Sequence, residues 1–205
     1  MDSHEVRRWW AERSGEFSPA YYAYYGPDER SESVRRLLER HCGRDAAVLE
    51  LGCSSGRHLS HLHEDGFTDL TGIELNGDAF DVMEENYPEL AAAGTFYHDS
   101  IEAVVDEFAD GQFDAVYSVE TLQQIHPDAD WIFPELARVT EDLLVTVENE
   151  GDVDGSPEAD PDVRYVDDEF PIYHRNWNRV FTATGLVEVE CRSGGRDTVR
   201  AFRSG

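Results

Sequence analysis

From Ala46 onward, short apolar runs alternate along the chain with longer amphipathic stretches. A short apolar run is typical of a buried strand, whereas apolar residues three and four positions apart are typical of a helix. Their alternation predicts an α/β fold with a mostly parallel sheet and crossover helices. The predicted strands are Ala46–Leu51, Leu70–Ile73, Thr95–Tyr97, Phe113–Ser118 and Leu143–Val147.

The amphipathic stretches between these strands predict the crossover helices. One helix runs from about Gly56 to Glu64, and the next starts at Asn76, a plausible N-cap, and ends before Pro88. A further helix covers Ile101–Phe108, and another includes Leu136. Each predicted helix therefore lies between two predicted strands, as a parallel sheet requires.

The C-terminal part of the chain shows a different pattern. Asp152–Asp168 is acidic and contains Gly and Pro, so we predict a loop, followed by a final helix at Tyr173–Ala183. Leu186–Cys191 and Thr198–Phe202 alternate like strands and are separated by Ser193-Gly194-Gly195, which indicates a hairpin. We therefore predict an antiparallel strand pair at the C-terminal end.

Residues 1–43 precede the first strand, and we predict a helical N-terminal segment ahead of a ligand-binding domain at 44–205. The apolar positions of the segment are Val6, Trp9 and Trp10 in one stretch and Val34, Leu37 and Leu38 in a second. The aromatic cluster Tyr21–Tyr25 lies between them. It either forms a lid over a bound ligand, where aromatic faces attract a cation, or packs a helix onto the sheet. The sequence leaves both interpretations open.

The charge of the chain is unusual. The net charge at pH 7 is -27, the acidic residues are spread along the whole sequence, and all 17 basic residues are arginine. Distributed carboxylates keep a protein hydrated in strong salt, whereas their repulsion destabilises it at low salt. The composition predicts a protein of a halophilic, archaeal type; the alternative is an acidic surface that attracts a basic partner. An extended nucleic-acid surface would need a basic stripe, so we expect no nucleic-acid partner.

Other features exclude further classes of protein. No apolar run approaches the roughly 18–20 residues that span a bilayer, and the charged stretch Met1–Trp10 does not resemble a signal peptide, so we expect a cytoplasmic protein without membrane contact. His58 and His61 share a helix face but His63 does not, so we expect no metal site. The cysteines are odd in number and far apart, which predicts no disulfide framework: Cys42, Cys53 and Cys191.

The most informative segment is Val48–Gly56, in which a strand runs into small residues and then into a helix. Small residues let a ligand approach the backbone, and a helix start presents free N–H groups. Glu74 ends the next strand, where a carboxylate can accept both hydroxyls of an adenosine ribose. A dinucleotide fingerprint needs glycine at three positions that here hold Gly52, Ser54 and Arg57, so NAD fits poorly.

Four segments match one enzyme family in order along the chain. Glu50–Gly56 resembles the first motif of class I S-adenosylmethionine-dependent methyltransferases, an acidic residue followed by Gly-x-Gly-x-Gly, with Ser54 in place of the middle glycine. Glu74 is similar to the acidic residue that ends their second strand. Asp99-Ser100-Ile101 resembles the segment that brackets adenine, and Phe113–Leu122 resembles their fourth strand and the turn after it.

The resemblance implies a single-domain Rossmann-like methyltransferase fold, with a seven-stranded sheet, an antiparallel C-terminal hairpin strand and helices on both faces. It also implies S-adenosylmethionine as cofactor, with Glu50 favouring its ammonium group, Glu74 holding the ribose and Asp99 the adenine amino group. The residues that it assigns to the cofactor are Glu50, Gly52, Cys53, Ser54, Gly56, Glu74, Leu75, Asp99, Ser100, Ile101 and Ser118.

The methyl acceptor is less well defined. Transfer from a sulfonium is an in-line displacement, in which alignment and desolvation supply most of the acceleration, and a base is needed only if the acceptor must lose a proton. The sequence does not identify that base; the candidates near strand ends are Glu120, His126, Tyr173 and His174, besides Glu148 and Glu150. We expect a small-molecule acceptor. The alternative is a non-catalytic nucleoside- or partner-binding module on the same fold.

Overall fold

The protein is organised around one large sheet. The computed structural model describes residues 2–151, 161–166 and 170–205. Its strands are β1 (Ala47–Leu51), β2 (Asp69–Glu74), β3 (Thr95–His98), β4 (Phe113–Val119), β5 (Thr140–Glu148), β6 (Asp162–Val166), β7 (Phe170–His174), β8 (Leu186–Gly194) and β9 (Asp197–Ser204). Seven of them form a sheet in the order β3-β2-β1-β4-β5-β9-β8. The first five in chain order are parallel, and β9 is antiparallel to both neighbours. The predicted fold class is confirmed.

Helices cover both faces of this sheet. They are α1 (Ser3–Ala11), α2 (Pro19–Tyr25), α3 (Glu29–His41), α4 (Arg57–Glu64), α5 (Asp78–Asn86), α6 (Pro88–Ala93), α7 (Ile101–Val104), α8 (Ile132–Val139) and α9 (Trp177–Thr182). Within the described residues, no helix combines the length and the apolar character needed to cross a bilayer.

The alternation of side chains along the strands builds two hydrophobic cores. Leu49 and Val116 face a core completed by α7, α8 and α9, whereas Val48 and Ala115 face a core completed by α3 to α6. Leu38 of α3 is fully buried in the second core, and burial of such a side chain contributes about 1.5–3 kcal/mol. Helix α3 of the predicted segment 1–43 therefore packs with the sheet, while α1 and α2 lie over a cleft at its edge.

The region after β5 differs from the predicted loop and helix. Residues 162–166 of the predicted loop Asp152–Asp168 form β6, which pairs antiparallel with β7 in a separate two-stranded sheet. Residues 152–160 and 167–169 of that prediction lie outside the described residues. Tyr173 and His174, predicted in the final helix, belong to β7. The helix starts later because the Asn176 side chain accepts the Arg179 N–H (3.0 Å) and caps α9.

Two short helices were missed by the sequence analysis. Ser18 caps α2 by accepting the Tyr21 N–H (3.3 Å), and Pro19 occupies its first position. Helix α6 begins with Pro88 immediately after α5. Asn76 was predicted as the N-cap of α5, but the helix begins at Asp78 and the Asn76 side chain accepts its N–H (3.0 Å). Both missed helices are too short to show a repeating apolar stripe.

Candidate active site

A cleft lies at the carboxyl ends of β1, β2 and β4. From β1 the sheet extends through β2 to β3 on one side and through β4 to β5 on the other. Such a reversal of strand order is where open α/β sheets bind ligands. The cleft has a volume of about 1080 Å³ including its open mouth, and α1 and α2 form its outer wall.

The turn after β1 forms the floor of the cleft. Gly52 has a φ of +67°, and a Cβ there would lie 2.5 Å from the Thr121 methyl carbon in the loop after β4. Ser54 also has a left-handed backbone (φ +50°), although it is not glycine. Gly52, Cys53 and Ser54 all line the cleft. Gly56 is turned away, because a Cβ there would meet Leu90 of α6 at 2.8 Å.

Glu74 lies beside this turn at the end of β2. Its carboxylate accepts the Ser54 N–H (2.8 Å) and the Asn76 N–H (2.7 Å). Burial raises the pKa of Glu74, and these N–H groups oppose the shift. Each carboxylate oxygen has a second lone pair, so both can still accept a ligand hydroxyl.

The adenine-side residues expected from the sequence lie together along one side of the cleft. Leu75 follows Glu74, and Asp99, Ser100 and Ile101 follow β3; all four line the cleft. Ser100 occupies the N-cap of α7, and its N–H donates to Asp99 Oδ1 (2.7 Å). Apolar side chains and a carboxylate therefore meet at the end of β3, an arrangement that suits a flat ring carrying an amino group.

Glu50 and Ser118 lie beneath the cleft surface rather than on it. Glu50 is buried, and burial raises its pKa while the Tyr117 hydroxyl and Arg57 oppose the shift. The Ser118 hydroxyl donates to the Glu148 carboxylate. These two side chains are thus placed to support the residues that line the cleft.

The loop after β4 forms the wall opposite the adenine side. Glu120 has a left-handed backbone (φ +52°) and lies 3.5 Å from Arg30 and 3.3 Å from Arg196. Burial raises the pKa of Glu120, and the two guanidinium groups oppose this effect. His126 lines the cleft as well, and its Nδ1 accepts the Asp128 N–H (3.1 Å).

The structure separates the candidate catalytic residues into two groups. Glu120 and His126 line the cleft. Tyr173 lies behind His126, with 5.4 Å between the ring centroids, and buried His174 packs against Gly151. Glu150 is held by Arg200 (2.7 Å) away from the cleft. Only a group that reaches the acceptor can take its proton, so the geometry favours the first pair.

The N-terminal helices close the outer side of the cleft. Trp10, Phe17 and Tyr22 line it, and Phe17 is a further non-glycine residue with a left-handed backbone (φ +61°). The Asn76 side chain donates to the carbonyl oxygens of Arg13 (3.0 Å) and Trp10 (3.4 Å). Arg7 of α1 pairs with Glu102 of α7 (3.4 Å). We call α1 and α2 with their connecting turn, residues 3–25, the cover segment.

Several residues of the cleft were missed by the sequence analysis as binding residues. Arg57 lies 5.0 Å from the Tyr22 ring centre and donates to Asp28 (3.3 Å) and the Gly26 carbonyl (3.3 Å). Buried His58 also lines the cleft, and its Nδ1 is 2.7 Å from the Ser31 hydroxyl. Burial lowers the pKa of His58 to about 3, so its ring is neutral. The position of Arg57 at the first turn of α4 was the available signal.

Parts of the chain are similar in sequence to known methyltransferases. Residues 48–142 match the methyltransferase-domain family. A dTDP-3-amino-3,6-dideoxy-alpha-D-glucopyranose N,N-dimethyltransferase of Streptomyces fradiae is 31% identical over 84 residues, which cover 38% of this chain and 32% of that enzyme. The chain thus matches only about a third of the length of this relative.

Solved structures share the fold over nearly the whole chain. The magnesium protoporphyrin IX methyltransferase of Synechocystis, solved with bound S-adenosylmethionine, has a TM-score of 0.68 at 14% identity and covers 100% of this chain and 98% of its own. A 1,6-didemethyltoxoflavin-N1-methyltransferase of Burkholderia thailandensis has a TM-score of 0.67 at 17% identity, covering 98% of this chain and 83% of its own. The chain therefore has the Rossmann-like fold that these methyltransferases share.

Proposed function

We propose that the protein is an S-adenosylmethionine-dependent methyltransferase that acts on a small-molecule acceptor. One observation carries the proposal. On the cleft floor, the Glu74 carboxylate accepts a 2.8 Å hydrogen bond from the N–H of Ser54, whose backbone is left-handed. This places a half-buried carboxylate beside a tight backbone turn at the switch point of the sheet. The arrangement suits a nucleoside whose ribose hydroxyls need an acceptor.

The donor set fits the proposed cofactor along the whole cleft. Glu74 would accept the ribose hydroxyls, Asp99 would accept the adenine amino group, and Ile101 would pack on the ring. The methionine part would lie over Gly52 and Ser54, with Arg57 near enough to attract its carboxylate. When bound, the cofactor supplies an electrophilic methyl group, and the residues around it align the acceptor and exclude water.

The acceptor would lie between the loop after β4 and the cover segment. Glu120 is placed there to bind or deprotonate an acceptor nitrogen or oxygen, and its raised pKa suits it to take up a proton. The cover segment closes the outer side of the cleft, which favours a small acceptor. By their names, the relative from Streptomyces methylates dTDP-3-amino-3,6-dideoxy-alpha-D-glucopyranose, and the protein from Burkholderia methylates 1,6-didemethyltoxoflavin.

We further propose that this enzyme works in the salt-rich cytoplasm of a halophilic, archaeal cell. The net charge of -27 and the use of arginine for all 17 basic residues support this. Dense carboxylates repel each other at low salt, and this repulsion is screened at high salt. The same charge disfavours a nucleic-acid acceptor.

Calorimetric titration in molar KCl tests the proposed cofactor. S-adenosylmethionine, S-adenosylhomocysteine and NAD are titrated in parallel into the wild type and Glu74→Ala. We expect the first two to bind and the variant to bind them at least about tenfold more weakly, because it loses hydrogen bonds to a charged acceptor. Asp69→Ala, at the exposed opposite end of β2, is the matched control and should bind normally.

Two outcomes would contradict the proposal. Binding of NAD without the other two ligands would indicate an oxidoreductase-type site. A demonstrably folded sample that binds none of the three would favour the non-catalytic partner-binding module.

A further inference from the structure

The loop after β4, residues 120–130, is held at both ends by buried ionisable side chains. We call it the acceptor loop, because its cleft-lining residues face the proposed acceptor position. They are Glu120, Thr121, Gln124, Ile125 and His126. Glu148 contacts the start of the loop, and Arg175 contacts its far end.

Glu148 ends β5, and its side chain is fully buried. Its carboxylate accepts the N–H groups of Thr121 (3.1 Å), Leu122 (3.0 Å) and Gln123 (3.3 Å), besides the Ser118 hydroxyl. These N–H groups belong to the start of a short 3₁₀ turn at residues 122–124, which would otherwise leave them unpaired. One carboxylate therefore fixes three consecutive backbone positions.

Glu120 is the residue immediately before the three backbone positions that Glu148 holds. Its left-handed backbone is unfavourable by about 1–2 kcal/mol for a residue with a Cβ, so surrounding contacts must hold it. Its N–H donates to the Val147 carbonyl (2.9 Å), and its carbonyl accepts the Gln124 side chain (2.7 Å). The residue that follows, Thr121, is tied to Glu148. The direction in which the Glu120 side chain points into the cleft therefore depends on Glu148.

Arg175 fixes the other end of the acceptor loop. Its guanidinium donates to the Ile125 carbonyl (2.8 Å) and to Asp130 (2.8 Å). Its side chain is buried against the rings of Phe133 and Tyr173. Burial lowers the pKa of Arg175 and raises that of Glu148 to about 7, so burying these two ionisable groups carries a desolvation cost. Apolar residues of similar size would avoid that cost, which indicates a role beyond stability.

We infer that Glu148 and Arg175 are positioning residues that hold the acceptor loop against the turn after β1 and thereby set the methyl-transfer end of the cleft. The link between loop and turn is direct, because Thr121 packs where a Cβ of Gly52 would lie. This inference rests on the proposed function. The adenosine end of the cleft, at Glu74 and Asp99, lies on the other side of β1 and does not depend on this loop.

The test combines amide exchange with two nucleoside probes. In Glu148→Gln, the amides of residues 121–123 should exchange at least about tenfold faster, because one neutral amide oxygen replaces a carboxylate as acceptor. Amides of β1 and β4 should keep their rates. Affinity for S-adenosylhomocysteine should fall about tenfold, while 5′-methylthioadenosine, which lacks the amino-acid part, should bind as before. Arg175→Lys should likewise weaken the binding of S-adenosylhomocysteine and leave that of 5′-methylthioadenosine unchanged.

Thr146→Val is the matched control. Thr146 is fully buried on the same strand and the same face as Glu148, and within the described part of the chain its hydroxyl has no hydrogen-bond partner. This variant should leave both the exchange rates and the affinity ratio unchanged.

The inference is overturned if Glu148→Gln matches the control, or if exchange accelerates equally in β1, β4 and the acceptor loop. Equal acceleration would show a role in overall stability alone. A wild type that binds neither nucleoside would contradict the proposed function instead, and the exchange comparison would still decide whether Glu148 fixes the loop.

Discussion

At the residue scale, Gly52 shows how closely the two halves of the proposed site approach. Its backbone is left-handed, and a Cβ would lie 2.5 Å from the Thr121 methyl carbon. We expect Gly52→Ala to lose about 2–4 kcal/mol of unfolding free energy, from backbone strain and overpacking together. It should also weaken S-adenosylhomocysteine binding by at least about tenfold. Chemical denaturation and calorimetry measure the two effects.

Gly43→Ala is the control for this substitution. Gly43 also has a left-handed backbone (φ +84°), but nothing lies within 4 Å of its Cβ position. It should show only the conformational cost of about 1–2 kcal/mol and normal binding. Equal effects of the two substitutions on binding would mean that the contact between Gly52 and Thr121 does not shape the cleft.

Residues at strand ends could be placed from the sequence, and residues that act through tertiary contacts could not. Glu74 and Asp99 each follow a recognisable strand, so the parallel sheet alone brings them to one edge. Asn76 gave only the local signal of a helix cap. Its contact with Arg13 joins positions 63 residues apart, which no local pattern reports. Glu148 was a candidate base in the sequence, whereas the structure shows its carboxylate committed to the acceptor loop.

At the element scale, two hydrogen bonds from the Asn76 side chain help to hold the cover segment over the cleft. We expect Asn76→Ala to lose about 1–2 kcal/mol of local stability, because the Asn76 amide donates to the carbonyl oxygens of Trp10, near the end of α1, and Arg13, just beyond it. Amide exchange in α1 should then accelerate about tenfold, and S-adenosylhomocysteine should dissociate faster. Asn86→Ala is the control, because that amide also donates to a backbone carbonyl (Val82, 2.8 Å) but on an exposed helix.

If α1 exchanges at the wild-type rate in Asn76→Ala, the Asn76 amide does not hold the segment, and other contacts, such as the pair formed by Arg7 and Glu102, must do so. Faster exchange with unchanged ligand dissociation would show that the cover segment does not retain the ligand.

The strands and longer helices followed from periodicity because each has one buried face and enough residues to repeat the pattern. Helix α2 could not be predicted from periodicity because its seven residues include four tyrosines, whose amphipathic rings do not distinguish a buried face from an exposed one. Strand β6 escaped because acidic residues surround it, and its Val163 and Tyr165 side chains are exposed in the structure. Apolar and polar residues alternate along a strand when one of its faces is buried, so a strand with both faces exposed need not show this pattern.

At the scale of the whole molecule, attraction and repulsion between charges compete. Ion pairs such as those of Arg35 with Glu32 (2.8 Å), Glu39 (2.8 Å) and Asp65 (3.2 Å) stabilise the fold and are weakened by salt. With 44 acidic and 17 basic residues, however, most carboxylates have no basic residue to pair with one to one. Screening by salt should therefore weaken the repulsion between carboxylates more than it weakens the attraction within ion pairs.

We accordingly expect the thermal midpoint to rise by roughly 10 °C between 0.2 M and 2 M KCl, equivalent to about 3–4 kcal/mol. Differential scanning fluorimetry measures it. The triple variant Glu84→Gln, Glu85→Gln, Glu89→Gln removes three exposed charges on α5 and α6, changing the net charge from -27 to -24. Its midpoint should be higher at low salt and should rise less. A wild-type midpoint that falls with salt would show that the attraction within ion pairs outweighs the repulsion between carboxylates. The charge of the chain would then no longer support the proposal that the protein works in a salt-rich cytoplasm.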